Sequence, residues 1–235
     1  LADDLGRADC GFMGGKVIQT PHLDKLAKAG AILDQFYVQP VCSPTRGSVL
    51  TGRYPQRNGL YDMVRNDMVN YGHQFSPEEY AVSPEMTLGL DVREVTIGDM
   101  LKKAGYATGC VGKWDMGQAK RYLPLQRGFD RFYGTIHGAG SFFDPNTLTR
   151  DNSFISPFAD AEYQPKEFYY TDAINDHAAR FVTEHLVECA VDGARSLLLR
   201  EAAQLRRDRG GAIARAQDDV ERLLAFGIGL VGAGL

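Results

Sequence analysis

The segment from Cys42 to Arg53, CSPTRGSVLTGR, combines a nucleophile with the signals of a helix N-terminus. Ser43 is a favourable N-cap residue, and Pro44 then takes the first helical position, where a missing N–H has no cost. Cys42 is therefore expected just before a helix whose free N–H groups and dipole favour an anion. Arg46 lies one turn further on and can donate a fork of hydrogen bonds to the same anion.

Two adjacent carboxylates, Asp3 and Asp4, follow a short apolar stretch that has the character of a strand end. Neighbouring carboxylates can both turn toward a hard cation, which prefers oxygen ligands. In open α/β sheets, ligands bind beyond the carboxyl ends of the strands, so the location suits a metal site. Judged on these two residues alone, a solvated acidic turn is the more ordinary interpretation.

Two helix–strand pairs surround these residues, and in each pair a threonine caps the helix and a glycine ends it. They are a helix from Thr20-Pro21 to Gly30 with a strand over residues 31–38, and a helix from Thr96 to Gly105 with a strand over residues 106–111. This order predicts an α/β fold in which helices flank a mostly parallel sheet and the chemistry lies at the strand ends. A further amphipathic helix is predicted over residues 171–186.

The Cys42 segment resembles the signature of the type I sulfatases, Cys-x-Pro-Ser/Thr-Arg followed by Leu-Thr-Gly-Arg. Many fixed positions within twelve residues make the match specific. The resemblance implies that Cys42 is oxidised to formylglycine, whose hydrate attacks the sulfur of a sulfate ester. The start of the chain likewise resembles the family's ADD-x-G metal motif, which implies a bound Ca²⁺, with Mg²⁺ as the alternative, at Asp3, Asp4 and Cys42.

The strand over residues 106–111 leads into the sequence GKWDMG, where sulfatases have GKWHLG. By resemblance, Lys113 is both a catalytic and a sulfate-binding residue. Asp115 stands where the family has histidine, and we retain it as a catalytic candidate. An ionised carboxylate donates no hydrogen bond and repels a sulfate dianion, so we expect weakened catalysis and a higher turnover for Asp115→His. His137, after a segment that resembles the family's GFDxFYG, is a further substrate-binding candidate.

The resemblance covers residues 1–186 and implies the N-terminal part of an alkaline-phosphatase/sulfatase-like catalytic domain, here truncated. Residues 187–235 contain no Lys, Pro, Tyr or Trp and are rich in Ala, Arg, Leu and Gly. They predict a helical tail unlike the family. Out-of-frame translation of a GC-rich gene is one hypothesis for this change in composition, and a genuine helical tail is the competing one.

Composition excludes several classes of function. The net charge is −4 over 235 residues, and no basic block with interleaved aromatics suggests a nucleic-acid partner. No apolar run is long enough to span a bilayer, and no signal peptide is visible. The family nevertheless implies a periplasmic or secreted protein whose partners are a small-molecule or sugar sulfate ester and a formylglycine-generating maturation enzyme.

These observations predict a sulfuric ester hydrolase of the arylsulfatase type. A catalytically inactive sulfatase fragment, or a binding protein, is the first alternative, because Asp115 departs from the motif and a second metal-binding pair is not visible. The second alternative is a phosphatase or phosphodiesterase of the same superfamily. Those relatives use a Ser or Thr nucleophile where this chain has Cys42, so the complete signature argues against them.

Overall fold

The computed structural model describes residues 1–64, 76–82 and 87–186. The chain divides into two units, Leu1–Tyr170 and Thr171–Leu235. The described part of the second unit is helical, within a helix over residues 170–186 that confirms the predicted one. The tail predicted over residues 187–235 lies outside the described residues. No helix among the described residues is long and apolar enough to cross a bilayer.

The helices of the first unit are short, and several begin at the residues that the sequence indicated. Thr96 and Asp99 form a reciprocal capping box, in which each side chain accepts a hydrogen bond from the other residue's backbone N–H (3.1 and 2.9 Å). The α-helices are α1 Pro21–Ala29, α2 Cys42–Thr51, α3 Pro55–Asn58, α4 Pro77–Val82 and α5 Ile97–Lys103. The 3₁₀-helices are Arg7–Asp9, Gly11–Met13, Lys120–Tyr122 and Pro124–Arg127.

The start of α2 differs from the prediction. The helix begins at Cys42 itself, and Val41, with extended backbone angles, is the N-cap. Ser43 is not the cap, because its side chain turns into the protein instead of toward the helix N–H groups. Cys42 therefore lies inside the first turn of α2, and Gly52 ends the helix in the left-handed conformation (φ 67°).

The strand predicted over residues 31–38 is wrong. These residues form no strand, and all eight are exposed. A strand requires a neighbour that accepts its backbone hydrogen bonds, and no described segment pairs with this one. The apolar residues that suggested it remain in contact with solvent, with Phe36 67% exposed. The second predicted strand is present but shorter, as β1 Gly109–Val111.

The described strands form a four-stranded mixed sheet in the order β1-β2-β3-β4, where β2 is Arg131–Thr135, β3 is Leu148–Arg150 and β4 is Ser153–Phe154. β1 and β2 are parallel, with Cys110 opposite Phe132. β2–β3 and β3–β4 are antiparallel. The α/β fold class is confirmed, but the described sheet is mixed instead of mostly parallel. The parallel β1–β2 pair leads into Lys113 and Asp115.

The core lies against this parallel pair. Seven buried residues pack together, and Leu50 of α2 contacts them. The seven are Leu60, Leu90, Trp114, Met116, Phe129, Phe132 and Ile136. The helix that begins at Cys42 and the strand that ends before Lys113 are thus held by one cluster of side chains.

Candidate active site

Lys113 and Asp115 lie beyond the carboxyl end of β1, where parallel pairing with β2 continues. The backbone N–H groups of Trp114 and Asp115 donate to the carbonyl oxygens of Thr135 and Ile136, at 2.9 and 3.2 Å. The continued pairing fixes the backbone of both candidates. Functional groups at this end of a parallel pair match the expectation for an α/β protein.

Trp114 anchors this segment in the core. Its ring packs edge-on against Phe129 and Phe132, with centroids 5.9 and 6.4 Å apart, and its indole N–H donates to the carbonyl oxygen of Tyr122. Side chains of successive residues in extended backbone point to opposite sides. The buried indole therefore directs Lys113 away from the core.

Asp3 bridges the two basic residues of the predicted site. Its Oδ2 lies 2.8 Å from Lys113 Nζ, and its Oδ1 lies 3.2 Å from Arg46 Nη2. Arg46 Nη1 also donates to the backbone carbonyl of Lys113. Burial opposes ionisation of Asp3, but the hydrogen bonds and charges of Lys113 and Arg46 outweigh it and lower its pKa. The start of the chain, α2 and the end of β1 are thus joined through one carboxylate.

Cys42 faces the same group of charges. Burial, followed by a hydrogen bond to Asp115 and the charge of that carboxylate, raises the pKa of the thiol, and Lys113 opposes the shift only in part. The unmodified thiol is therefore held protonated at neutral pH and is a poor nucleophile in that form. Burial opposes the charge on Lys113, but the hydrogen bond to Asp3 and the charges of Cys42 and Asp115 raise its pKa. Lys113 therefore remains a cation.

Ser43 holds the Asp115 carboxylate, and Gly138 leaves space for it. Neither residue was predicted from the sequence to belong to the site. Ser43 is fully buried and its Oγ donates to Asp115 Oδ2 at 2.7 Å, while the Val64 N–H donates to Ser43 Oγ. Asp115 has a left-handed backbone (φ 58°). A Cβ at Gly138 would lie 2.7 Å from Asp115 Oδ1, so glycine leaves room for the carboxylate. The glycines beside Ala139 are the signal that could have indicated this contact.

Two predicted site residues, Asp4 and His137, make no described contact with the other site residues. Asp4 is exposed at a left-handed turn (φ 54°). His137 is exposed, and its described hydrogen bonds are local, to Ala139 and Thr147. The cluster that the described residues do form consists of Asp3, Cys42, Arg46, Lys113 and Asp115.

The described residues do not by themselves fit a calcium ion. Ca²⁺ takes six to eight oxygen ligands, and Asp3 and Asp4 together supply at most about four. Both oxygens of Asp3 already contact cations. Within the described ranges, no three His, Cys, Asp or Glu residues group as metal ligands.

Comparison with known proteins identifies the family of this chain. A family model described as Sulfatase matches residues 1–188. The chain belongs to the sulfatase family. Mouse arylsulfatase J is 37% identical over 144 residues, which are 61% of this chain and 21% of that protein. Human N-acetylgalactosamine-6-sulfatase is 37% identical over 136 residues, and mouse steryl-sulfatase is 39% identical over 160 residues.

The sulfatase match concerns only part of these relatives. The alignment with the human relative covers 57% of this chain and 24% of that protein. The alignment with mouse steryl-sulfatase covers 62% of this chain and 24% of that protein. It thus spans less than a quarter of the curated sulfatases that it matches.

Solved structures agree with the sulfatase fold. The crystal structure of Ps i-CgsB superposes with a TM-score of 0.62 at 29% identity and covers 78% of this chain and 40% of that one. The PsFucS1 sulfatase from Pseudoalteromonas sp. gives a TM-score of 0.55 at 26% identity, with 80% and 40% covered. The chain therefore has an α/β fold that matches part of these solved structures.

Proposed function

We propose that this chain carries the nucleophile side of a sulfatase active site and acts in the hydrolysis of sulfate esters. The observation that carries the proposal is the convergence of Cys42, Arg46 and Lys113 at the end of the β1–β2 pair. Two cations beside a nucleophile position suit an anionic ester whose charge must be neutralised during attack. The names of the relatives include an arylsulfatase, a steryl-sulfatase and a sugar sulfatase. The substrate class is accordingly a small-molecule or sugar sulfate ester.

The proposal includes conversion of Cys42 to formylglycine by a maturation enzyme. A hydrated aldehyde at this position would supply the attacking hydroxyl that a protonated thiol does not. Arg46 would orient the sulfate oxygens with its guanidinium fork, and its buried Nε–H has no hydrogen-bond partner among the described residues. Lys113 would neutralise charge as the ester bond breaks. A periplasmic or secreted location belongs to the same proposal and is supported by family membership.

A complete Ca²⁺ site at Asp3 and Asp4 would need further oxygen ligands beyond these two carboxylates. The test of function therefore includes Ca²⁺ in the buffer but does not depend on its binding to these two residues.

The experiment is to coexpress the chain with a formylglycine-generating enzyme and to follow the mass of the Cys42 peptide. The product is assayed with 4-nitrophenyl sulfate and 4-nitrophenyl phosphate, beside Cys42→Ala. We expect conversion of Cys42 and sulfate hydrolysis that the variant loses. Preferential phosphate hydrolysis would instead identify a phosphatase. Conversion without turnover would favour the inactive fragment, to which the carboxylate at position 115 already points.

A further inference from the structure

Asp115 brings a buried negative charge to the place where an anionic substrate is proposed to bind. Asp115 is only 6% exposed, and its carboxylate interacts with Cys42. The Ser43 hydroxyl accepts from the Val64 N–H, so its own proton points to Asp115 Oδ2. The carboxylate is thus held beside residue 42 by a fixed donor and does not swing out into solvent.

The charges of the cluster cancel. Arg46 and Lys113 are positive, and their side chains are 11% and 15% exposed. Asp3 is negative and contacts both cations, and Asp115 is negative and interacts with Lys113. In a partly buried site of this kind, solvent and salt screen such charges less than they do at the surface. Each additional negative charge on a ligand therefore meets repulsion from Asp115.

We propose that Asp115 is a specificity-determining residue that makes the site prefer a singly charged sulfate monoester over a nearly doubly charged phosphate monoester. A phosphate monoester carries between about 1.5 and 2 negative charges near neutral pH, whereas a sulfate monoester carries one. This inference rests on the proposed function, because it concerns the same anion position. It assigns to the carboxylate a role in rejecting one class of ester, beyond any role in the reaction itself.

Binding to the unmodified chain tests the proposal without turnover. Isothermal titration at pH 8 and low salt would measure the affinity of phenyl sulfate and phenyl phosphate for the wild type and for Asp115→Asn. Asparagine is nearly isosteric, can still accept from Ser43 and tolerates left-handed backbone. Coulomb energy scales with ligand charge. The fold-increase in affinity that Asp115→Asn produces should therefore be, for the dianion, about the square of that for the monoanion. We expect about threefold for phenyl sulfate and about tenfold for phenyl phosphate.

Three further variants separate charge from structure. Asp91→Asn removes one charge from an exposed ion pair with Arg93 and should change the affinity for neither ester. Ser43→Ala keeps the Asp115 charge but removes the donor that holds it, so it should weaken the preference for phenyl sulfate less than Asp115→Asn does. Asp115→His is a second neutral variant at pH 8 and also tolerates left-handed backbone, so it should shift the ratio in the same direction as Asp115→Asn. It provides the measurement if the asparagine variant fails to fold.

The inference would be overturned if Asp115→Asn raised the affinity for both esters equally or for neither. It would also be overturned if the wild type bound neither ester at millimolar concentration. The proposed function is decided separately. If the matured chain hydrolyses 4-nitrophenyl sulfate but substitution of Asp115 leaves the ratio of the two ester affinities unchanged, the inference fails and the function stands. If the ratio shifts as expected but no matured chain turns over, the selectivity stands and the hydrolase proposal fails.

Discussion

Two segments deliver four of the five residues of the charged cluster, all except Arg46 of α2, and they differ sharply in burial. The N-terminal segment, residues 1–42, has one buried residue, Cys10. The sheet segment, residues 108–136, supplies five of the seven residues of the core cluster. Asp3 and Cys42 belong to the first segment, and Lys113 and Asp115 belong to the second. The geometry of the site is therefore fixed from the sheet side, and the N-terminal segment is held to it mainly through polar contacts.

The largest expected effect tests this difference with one aromatic residue from each segment. Phe132→Ala should lower the free energy of unfolding by about 3–5 kcal/mol, because Phe132 is 2% exposed and packs on Trp114. Phe36→Ala should change it by no more than about 0.5 kcal/mol, because Phe36 is 67% exposed. Urea unfolding followed by Trp114 fluorescence measures both. A comparable loss for Phe36→Ala would mean that residues 31–38 are packed in solution.

A smaller effect is expected where two backbones of the sheet segment approach closely. A Cβ at Gly134 would collide with the carbonyl group of Gly112, at the point where β1 leads into Lys113. Gly134→Ala should therefore destabilise the protein by about 1–3 kcal/mol, the usual range for overpacking. It should also disturb ester binding, because the strand that carries Lys113 must shift.

Gly140→Ala is the matched control for that substitution. A Cβ at Gly140 meets Asn146 Oδ1 at 3.5 Å, an ordinary contact, so its effect should stay within about 0.5 kcal/mol. Thermal unfolding and phenyl sulfate titration on both variants provide the comparison. If the two variants behave alike, the close approach between β1 and β2 does not constrain the site.

A still smaller effect comes from Asp130, which fixes the turn before β2. A hydrogen bond from the Lys102 ammonium, followed by hydrogen bonds from Thr108, lowers its pKa to about 2. A carboxyl whose folded pKa lies below the unfolded value of about 4 stabilises the fold above pH 4 and loses that contribution as the pH falls toward 2. Asp130→Asn should cost about 1 kcal/mol at pH 7, since the side chain is 38% exposed and solvent screens it.

The pH dependence provides the check on Asp130. In urea unfolding between pH 7 and pH 2, the difference between wild type and Asp130→Asn should shrink below pH 4. Asp144→Asn, at an exposed turn, is the control and should show no such difference. A cost for Asp130→Asn that persists unchanged to pH 2 would assign it to packing instead of charge.

The sequence predicted what depends on neighbouring residues. The helix cap at Thr96 and the start of α1 at Pro21 are local, and both are confirmed. The convergence of Arg46 with Lys113 was expected from the motifs, and the described contacts join these residues. The roles of these residues in catalysis stay predictions.

The sequence failed where a distant partner decides the outcome. Residues 31–38 have the apolar pattern of a strand, but no described segment pairs with them, so the pattern alone did not produce one. Ser43 has the local character of an N-cap, but a carboxylate 72 positions away accepts its hydroxyl proton instead. The glycines beside Ala139 mark a place where a side chain would not fit, but the sequence does not show that Asp115 is the residue that fills the space at Gly138, because the β1–β2 pairing brings the two together.

The smallest expected effect concerns metal binding by the N-terminal segment. Asp3 is paired with Arg46 and Lys113, and Asp4 is exposed at the surface, so the two offer few free oxygens to a cation. Ligand stabilisation grows with the ratio of ligand to its dissociation constant, and a weak site gives little. Addition of about 1 mM CaCl₂ or MgCl₂ should therefore shift the Tm by less than about 1 °C relative to NaCl of equal ionic strength. A saturable rise of several degrees, lost in Asp4→Asn, would contradict this, because it would require the N-terminal segment to be ordered around a metal as firmly as the sheet segment is ordered around its core.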